Sequence, residues 1–497
     1  MKVRIIVDRI LYNKDDNVDK KIIKNYLYNV LVQIINIIIP FITIPYISRV
    51  LVPEELGLYN YTLNVMTYFS IIAELGFQFY GQKAIVECKS KEEEETTFLK
   101  ILKLKYSFGF LVLAVYYLIV ILFLKNKMVY CFQGFAILGV VFDITWYYAG
   151  KENFKKIAFR GLFLKLVSFV LLLILVRGDN ALYKYVLSIQ VTNFIGNILM
   201  YYGLSIKIHN VKIEIAEVKI IMFSSLSLLI PSILTSIYQI VDKAVLGEIS
   251  TMTHVGYYSQ MLKLVGLFSA IVFSIGKVVF PRLVHYYNIG NINNVQILVR
   301  EIASFIFHIG IPICIGIYSI LDIFVPWFYG NQYLVLIKFF PYALPLILII
   351  SLNNVFSSQL LIAINEEKKL YLLIIINVIV NVSLDFLLIK KWNSVGALIA
   401  SIIAECVQFF GSILIYKKII GGRIFQFDNI IAIISGIIMG ITIIFLKSKI
   451  EMQDIFLTFL LVFIGVMIYL FCLYLLRDPL VIKGIGLLIK KIKKREG

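Results

Sequence analysis

The chain has 497 residues, 60% of them hydrophobic and only 16% charged, and its mean hydropathy is +0.89. No soluble domain needs so much apolar surface, so an ordinary cytosolic protein is excluded. The net charge of +18 invites a nucleic-acid reading, but most of it lies in short loops and at two basic ends, where anionic lipid headgroups account for it, and no nucleic-acid partner is expected.

In chain order, residues 1–26 form a basic arm carrying Lys2, Arg4, Arg9, Lys14, Lys20, Lys21 and Lys24, with no cleavable signal character. Six apolar runs follow, at 27–48, 58–80, 101–124, 128–149, 158–176 and 181–206, and make an N-terminal lobe over 27–206. Each is close to the roughly 20 residues that a helix needs to cross about 30 Å of hydrocarbon. A linker at 207–218 leads to six more runs, at 219–241, 256–281, 299–325, 333–364, 370–389 and 394–416, the C-terminal lobe over 219–416. Two extra spans, 428–446 and 454–476, occupy 417–476, and a basic tail fills 477–497. The expected fold is an all-α polytopic membrane protein of about 14 transmembrane helices, two six-helix lobes around a central cavity plus two C-terminal helices. An even count puts both termini on one side, and a roughly threefold excess of Lys and Arg in the loops assigned to that side makes it the cytoplasm.

Five cysteines, Cys88, Cys131, Cys314, Cys406 and Cys472, are scattered and imply neither a disulfide framework nor a metal site. The polar residues of the spans fall on faces. Asn29, Gln33, Asn36, Pro40 and Thr43 recur at helical spacing in the first run, and Asn60, Asn64, Thr67, Glu74 and Gln78 repeat this in the second. The seventh has Ser224, Ser227, Pro231, Thr235, Tyr238 and Asp242. The eighth has Ser259, Lys263, Gly266, Ala270, Ser274 and Lys277, and the twelfth Ser394, Ala397, Ser401, Glu405, Gln408 and Ser412. A single Ser or Gly in such a stripe serves helix contact, but Glu74, Lys263, Lys277 and Glu405 point to a cavity, because an ion against hydrocarbon costs several kcal/mol. Asp242, next to Lys243, has two readings: it neutralises a nearby lysine, or it binds a proton or sodium ion that couples transport to a gradient. Glu74 and Glu405 are the next coupling candidates, and no other cofactor is expected.

Residues 45–60, PYISRVLVPEELGLYN, and 241–259, VDKAVLGEISTMTHVGYYS, run alike, with Gly57, Tyr59 and Asn60 answering Gly256, Tyr258 and Ser259 about 199 residues later. An internal repeat of six helices is the natural reading, and repeats of this kind enclose a cavity and work by alternating access.

At the same residues the chain resembles a known family. Ser48-Arg49-Val50-Leu51 with Glu54-Glu55-Leu56-Gly57-Leu58-Tyr59 is similar to the opening signature of polysaccharide flippases of the O-antigen and capsule type. These form the polysaccharide transporter branch of the multidrug, oligosaccharidyl-lipid and polysaccharide (MOP) superfamily. Ala73 to Gly81, Val241 to Ser259 with Phe280-Pro281-Arg282, and Leu361 to Ala400 with Asn377, Asn381 and Val395-Gly396-Ala397 follow the same pattern. Val52 departs from it, since that position is commonly Gly. The resemblance implies a flippase that moves polyprenyl-diphosphate-linked oligosaccharide repeat units across a bacterial cytoplasmic membrane, with a polysaccharide polymerase and chain-length proteins as partners.

For such a substrate the path must supply cations and hydrogen-bond donors while the isoprenoid tail stays in lipid. Lys263 and Lys277 lie on one face roughly 21 Å apart, and with Lys243 and Arg282 they suit a diphosphate moving along the C-terminal lobe. Lys165 serves from the other lobe, and Arg49 is either a release site or a snorkelling anchor. Tyr59, Tyr258 and Asn377 suit sugar hydroxyls. Two rivals remain at this stage. A drug/cation antiporter of the superfamily wants an acidic aromatic cavity, not lysines. A membrane polysaccharide polymerase or glycosyltransferase wants a large outer loop with catalytic Arg, Asp or His, and the outer loops here are short. No nucleotide-binding Gly-rich motif appears.

Overall fold

The computed structural model describes residues 38–482 apart from 208, 425 and 427, with the side chains at 228–239, 275, 277 and 278 outside the description. The basic arm, the start of the first span with Asn29, Gln33 and Asn36, most of the tail and the side chain of Lys277 therefore lie outside the described residues. Those described form helices and no strand. They divide into an N-terminal unit that ends at Ile47 and resumes over Ile72–Ser225, and a C-terminal unit made of Ser48–Ile71 and the residues from Leu226 on.

The first eight helices are α1 Ile38–Val50, α2 Pro53–Glu74, α3 Phe77–Glu87, α4 Lys91–Phe123, α5 Lys127–Val141, α6 Thr145–Gly150, α7 Phe154–Leu175 and α8 Ala181–Leu199. The start of α4 is written locally: Ser90 Oγ accepts from the Glu93 amide at 3.1 Å while the Glu93 carboxylate accepts from the Lys89 amide at 2.8 Å. This arrangement, related to a capping box, satisfies amides that a helix start otherwise leaves bare. An aromatic core then ties α4 to α6, with Phe98 stacked on the fully buried Trp146 at 5.2 Å and edge-on to Tyr147 at 5.1 Å.

The remaining helices are α9 Ile215–Ile249, α10 Met252–Val272, α11 Ser274–Asn288, α12 Ile292–Tyr329, α13 Leu336–Ala343, α14 Pro345–Asn353, α15 Leu360–Ala363, α16 Glu367–Ile419, α17 Asp428–Lys447 and α18 Asp454–Leu475. A π-helical stretch, Asn354–Gln359, joins α14 to α15. At the end of α18 the buried Asp478 accepts from the amides of Leu480 and Val481 and faces His308 Nε2 of α12 at 2.9 Å. This ties the C-terminal helix pair to α12.

Several expected span boundaries are corrected. The second span ends at Glu74, not at residue 80, because Leu75 (φ 42) and Gly76 (φ 78) both turn left-handed. The fourth breaks after Val141, where the Asp143 carboxylate accepts from the Thr145 amide at 2.7 Å and starts a new short helix. The eighth begins at Met252 and breaks at Phe273. The seventh runs on to Ile249, so Asp242 and Lys243 sit inside a helix and not in an outer loop. The eleventh and twelfth expected spans, by contrast, are the two halves of α16, whose break at Asn393 falls in the gap 390–393 expected between them. The 53 residues of α16 would reach about 80 Å if straight, and it breaks only at Asn393 (φ 48, ψ −127). Nine helices among the described residues are long and apolar enough to cross a membrane, against the fourteen expected. Part of the gap is α16, two expected spans in one element. Another part is α2 and α8, whose apolar faces are interrupted by Asn60 and Asn64 and by Gln190 and Asn197.

The internal repeat has a structural counterpart inside the C-terminal unit. A Cβ placed on Gly57 would run into the backbone carbonyl of Met252, and one on Gly256 into the carbonyl of Pro53. Pro53 and Met252 are as far apart in sequence as Gly57 and Gly256, so the contact is reciprocal, as a local two-fold axis requires. Only glycine permits backbones to meet this closely.

Candidate functional site

Asp242 on α9 is 6% exposed and lies between three helical segments. Tyr258 of α10 donates its hydroxyl to Asp242 Oδ2, and Ser401 of α16 donates to the same oxygen at 2.8 Å. The two hydroxyls are 3.1 Å apart. The break at Asn393 explains how α16 reaches this point twice. Gly396 backs onto the carbonyl of Leu388, so the two halves of α16 double back as a hairpin. Asp385 and Ser401, each eight residues from Asn393, are thereby brought level. The hairpin tip is held by Ser250 Oγ, which donates to Asn393 Oδ1 at 2.7 Å, and by a 2.9 Å bond between His254 Nδ1 and Ser394 Oγ.

Asp385 is fully buried and faces Asp242 closely enough for the two carboxyl groups to interact directly. Both Asp385 oxygens, Asp242 Oδ1 and the Asn381 amide nitrogen have no hydrogen-bond partner. Lys243 is near enough to attract Asp242, yet among the described residues it makes no ion pair within 4.0 Å. Two carboxylates this close in a low-dielectric interior repel unless a proton or a cation is held between them. The donors here are carboxylate, hydroxyl and amide oxygens, which suit a proton or a hard monovalent cation. No group of three or more His, Cys, Asp or Glu side chains occurs among the described residues, so a softer metal finds no ligand set in them.

A second polar station lies further along the hairpin. Asn353 Nδ2 donates to the Glu405 backbone carbonyl at 2.8 Å and to its carboxylate, and Ser357 Oγ donates to Asn353 Oδ1 at 3.1 Å. Asn377 Nδ2 donates to Gln408 at 3.0 Å. The π-helical stretch begins at the next residue, Asn354, a distortion common where helices carry function.

The N-terminal unit buries charge as well. Lys105 of α4 is completely buried; its Nζ lies 3.3 Å from Glu74 and donates to the Asp143 carbonyl at 2.8 Å. Arg160 of α7 lies 3.9 Å from the Asp143 carboxylate and donates to Asn197. Glu74 therefore has a lysine partner.

Of the residues singled out from sequence, the structure brings Asp242, Lys243 and Tyr258 together, and puts Glu405 and Asn377 one station away. Lys263 is half-buried on α10, close enough to Lys243 for the two to repel, and has no ion-pair or hydrogen-bond partner among the described residues. Arg282 is half-buried just after Pro281 of α11. Arg49 is exposed and donates to the Trp327 carbonyl near the end of α12, while Tyr59 is 5% exposed in the interior of the C-terminal unit. Lys165 is exposed on α7. Asp385, Lys105, Asp143 and Arg160 escaped the sequence reading. The signal for Asp385 was present: it is the lone acid in the run 370–389.

A helical membrane protein with paired carboxylates inside one unit, and beside them lysines that make no ion pair among the described residues, belongs to the class of polytopic transporters, not enzymes. The chain belongs to the polysaccharide biosynthesis protein family, whose model matches residues 22–287. It is 23% identical over 401 residues, 77% of this chain and 94% of the relative, to a protein of Escherichia coli (strain K12) named "Putative O-antigen transporter". A protein of the same name from Shigella dysenteriae is 22% identical over 393 residues, 77% of this chain and 96% of that relative. Among solved structures, the lipid II flippase MurJ in its inward closed conformation superposes with a TM-score of 0.75 at 13% identity, covering 92% of this chain and all of that one. An inward-facing MATE family multidrug transporter of the MOP superfamily gives 0.59 at 11% identity over 77% of this chain and 98% of its own. The chain shares its fold with these two transporters.

Proposed function

We propose that the protein is a flippase that carries polyprenyl-diphosphate-linked oligosaccharide repeat units from the cytoplasmic to the outer leaflet of a bacterial inner membrane, by alternating access driven by a proton or sodium ion. Family membership, relatives named as O-antigen transporters and a fold shared with a lipid flippase support the substrate class. Coupling rests on one observation: Asp242 and Asp385 are buried side by side with acceptor oxygens left over. A bound cation or proton supplies the missing charge, and its release allows the hairpin halves of α16 to shift against α9 and α10. Lys243 and Lys263 then offer positive charge to a diphosphate in the same unit, and Arg49, Lys165, Lys277 and Arg282 are further candidates along the path. Tyr59, Tyr258 and Asn377 are interior residues that set the helices beside the path.

The experiment is gene deletion in the bacterial host with complementation. Loss of surface polymer with complete lipid-linked repeat units held on the cytoplasmic face supports the reading. Unchanged polymer in the deletion strain would overturn it.

A further inference from the structure

Between α7 and α8 in the N-terminal unit runs a slot of about 340 Å³. Phe163, Val167, Leu171 and Leu175 line it from α7, and Leu187 and Leu199 from α8. Its only polar wall residues are Ser188 and Thr192, and both turn their hydroxyls into their own helix: Ser188 Oγ donates to the Lys184 carbonyl at 2.6 Å and Thr192 Oγ1 to that of Ser188 at 2.5 Å. The wall is therefore dry, with nothing to hold water. From Phe163 to Leu175 the slot is about 18 Å long, longer than the roughly 15 Å of one leaflet.

One end of the slot is cationic. Counting back along the same face of α7 from Leu171, Val167 and Phe163 leads to Arg160 and Lys156. Arg160 keeps its Nε buried without a hydrogen-bond partner. Lys156 Nζ donates to the Tyr148 hydroxyl at 2.6 Å and to the Tyr202 carbonyl at 2.8 Å, and meets no carboxylate among the described residues. Lys105 and Arg160 pair with Glu74 and Asp143, whereas Lys156 is in no ion pair among the described residues. A single apolar slot ending at a lysine without a carboxylate partner among the described residues suits an anionic lipid with one chain, as a polyprenyl phosphate has, better than a two-chain phospholipid.

We propose that this slot seats the isoprenoid chain of the lipid-linked substrate, with its phosphate at Lys156 and Arg160. The inference deepens the flippase reading and rests on it for the identity of the lipid. It gives the N-terminal unit the task of holding the tail, while the cation-binding carboxylates lie in the other unit.

The test uses the full-length protein in lipid nanodiscs with a long-chain polyprenyl monophosphate as probe and dipalmitoyl phosphatidylglycerol as competitor, read by native mass spectrometry. Val167→Trp fills the slot and should weaken probe binding about tenfold or more, and Lys156→Gln several-fold. Leu166→Trp, on another face of α7, should leave it unchanged, and hundredfold competitor should not displace the probe. Equal binding by wild type and Val167→Trp, or displacement by the phospholipid, would overturn the proposal. Should a variant fold poorly, a polyprenyl phosphate with a photoreactive chain end, bound to the wild type, should label peptides within 163–175 or 187–199. Label confined elsewhere would equally overturn it. Because binding is read without transport, the two ideas fail separately. A deletion strain that keeps its polymer sinks the flippase, whereas trapped repeat units with no slot binding sink only the tail site.

Discussion

In the N-terminal unit Glu74 and Asp143 meet Lys105 and Arg160, one cation to each carboxylate, whereas in the C-terminal unit Asp242 takes hydrogen bonds from Tyr258 and Ser401, its neighbour Asp385 takes none, and neither makes an ion pair among the described residues. The first arrangement is paired in charge, although Glu74 Oε1 and Arg160 Nε lack hydrogen-bond partners, so removing one ion strands another. The second is open, with acceptor oxygens unsatisfied until something positive arrives. Buried pairs of the first kind hold structure, and an unbalanced pair in a membrane interior marks an ion pathway.

Four single substitutions and one double break or sharpen this contrast. Asp385→Asn mimics a protonated carboxyl and removes the repulsion, so transport should fall about tenfold or more while the melting temperature stays level or rises. Polymer export with thermal unfolding of the purified protein checks both halves. Lys105→Met does the reverse: it strands Glu74 and should cost about 3 kcal/mol of stability, visible as loss of folded protein. Adding Glu74→Gln should restore at least half of that. Gly256→Ala drives a methyl group into the Pro53 carbonyl at the helix crossing that aims Tyr258 at Asp242. A loss of about 1–3 kcal/mol is expected, with reduced export. Tyr258→Phe is the mildest, removing one of two hydroxyl donors for about 1 kcal/mol and shifting ion dependence more than folded yield.

How far the sequence was legible follows from what each signal measures. Hydropathy reports burial in lipid, so it found the apolar runs and the polar break Lys390-Lys391-Trp392-Asn393, but it is blind to a turn such as Leu75-Gly76, where two φ values redirect the chain with no polar loop. Asp242 was readable because it closes an apolar run beside a lysine. Asp385 was equally visible as a charge in hydrocarbon, but its significance lies in facing Asp242, and a contact between two helices with residues 143 positions apart leaves no periodicity to read. Lys105 sits near the predicted end of a span, where a lysine ordinarily snorkels, and only α4's extension back to Lys91 puts it deep. The sequence aligned Gly57 with Gly256 as equivalent positions of a repeat, but it gave no sign that the two meet each other's helix.

The most direct test of ion coupling is uptake of polyprenyl-diphosphate-linked oligosaccharide by proteoliposomes under imposed proton or sodium gradients, in wild type and Asp385→Asn. Wild type accelerated by one of the two gradients, with Asp385→Asn slow and indifferent to both, is the predicted result. Equal rates in the two proteins, unaffected by either gradient, would contradict the role assigned to the paired carboxylates.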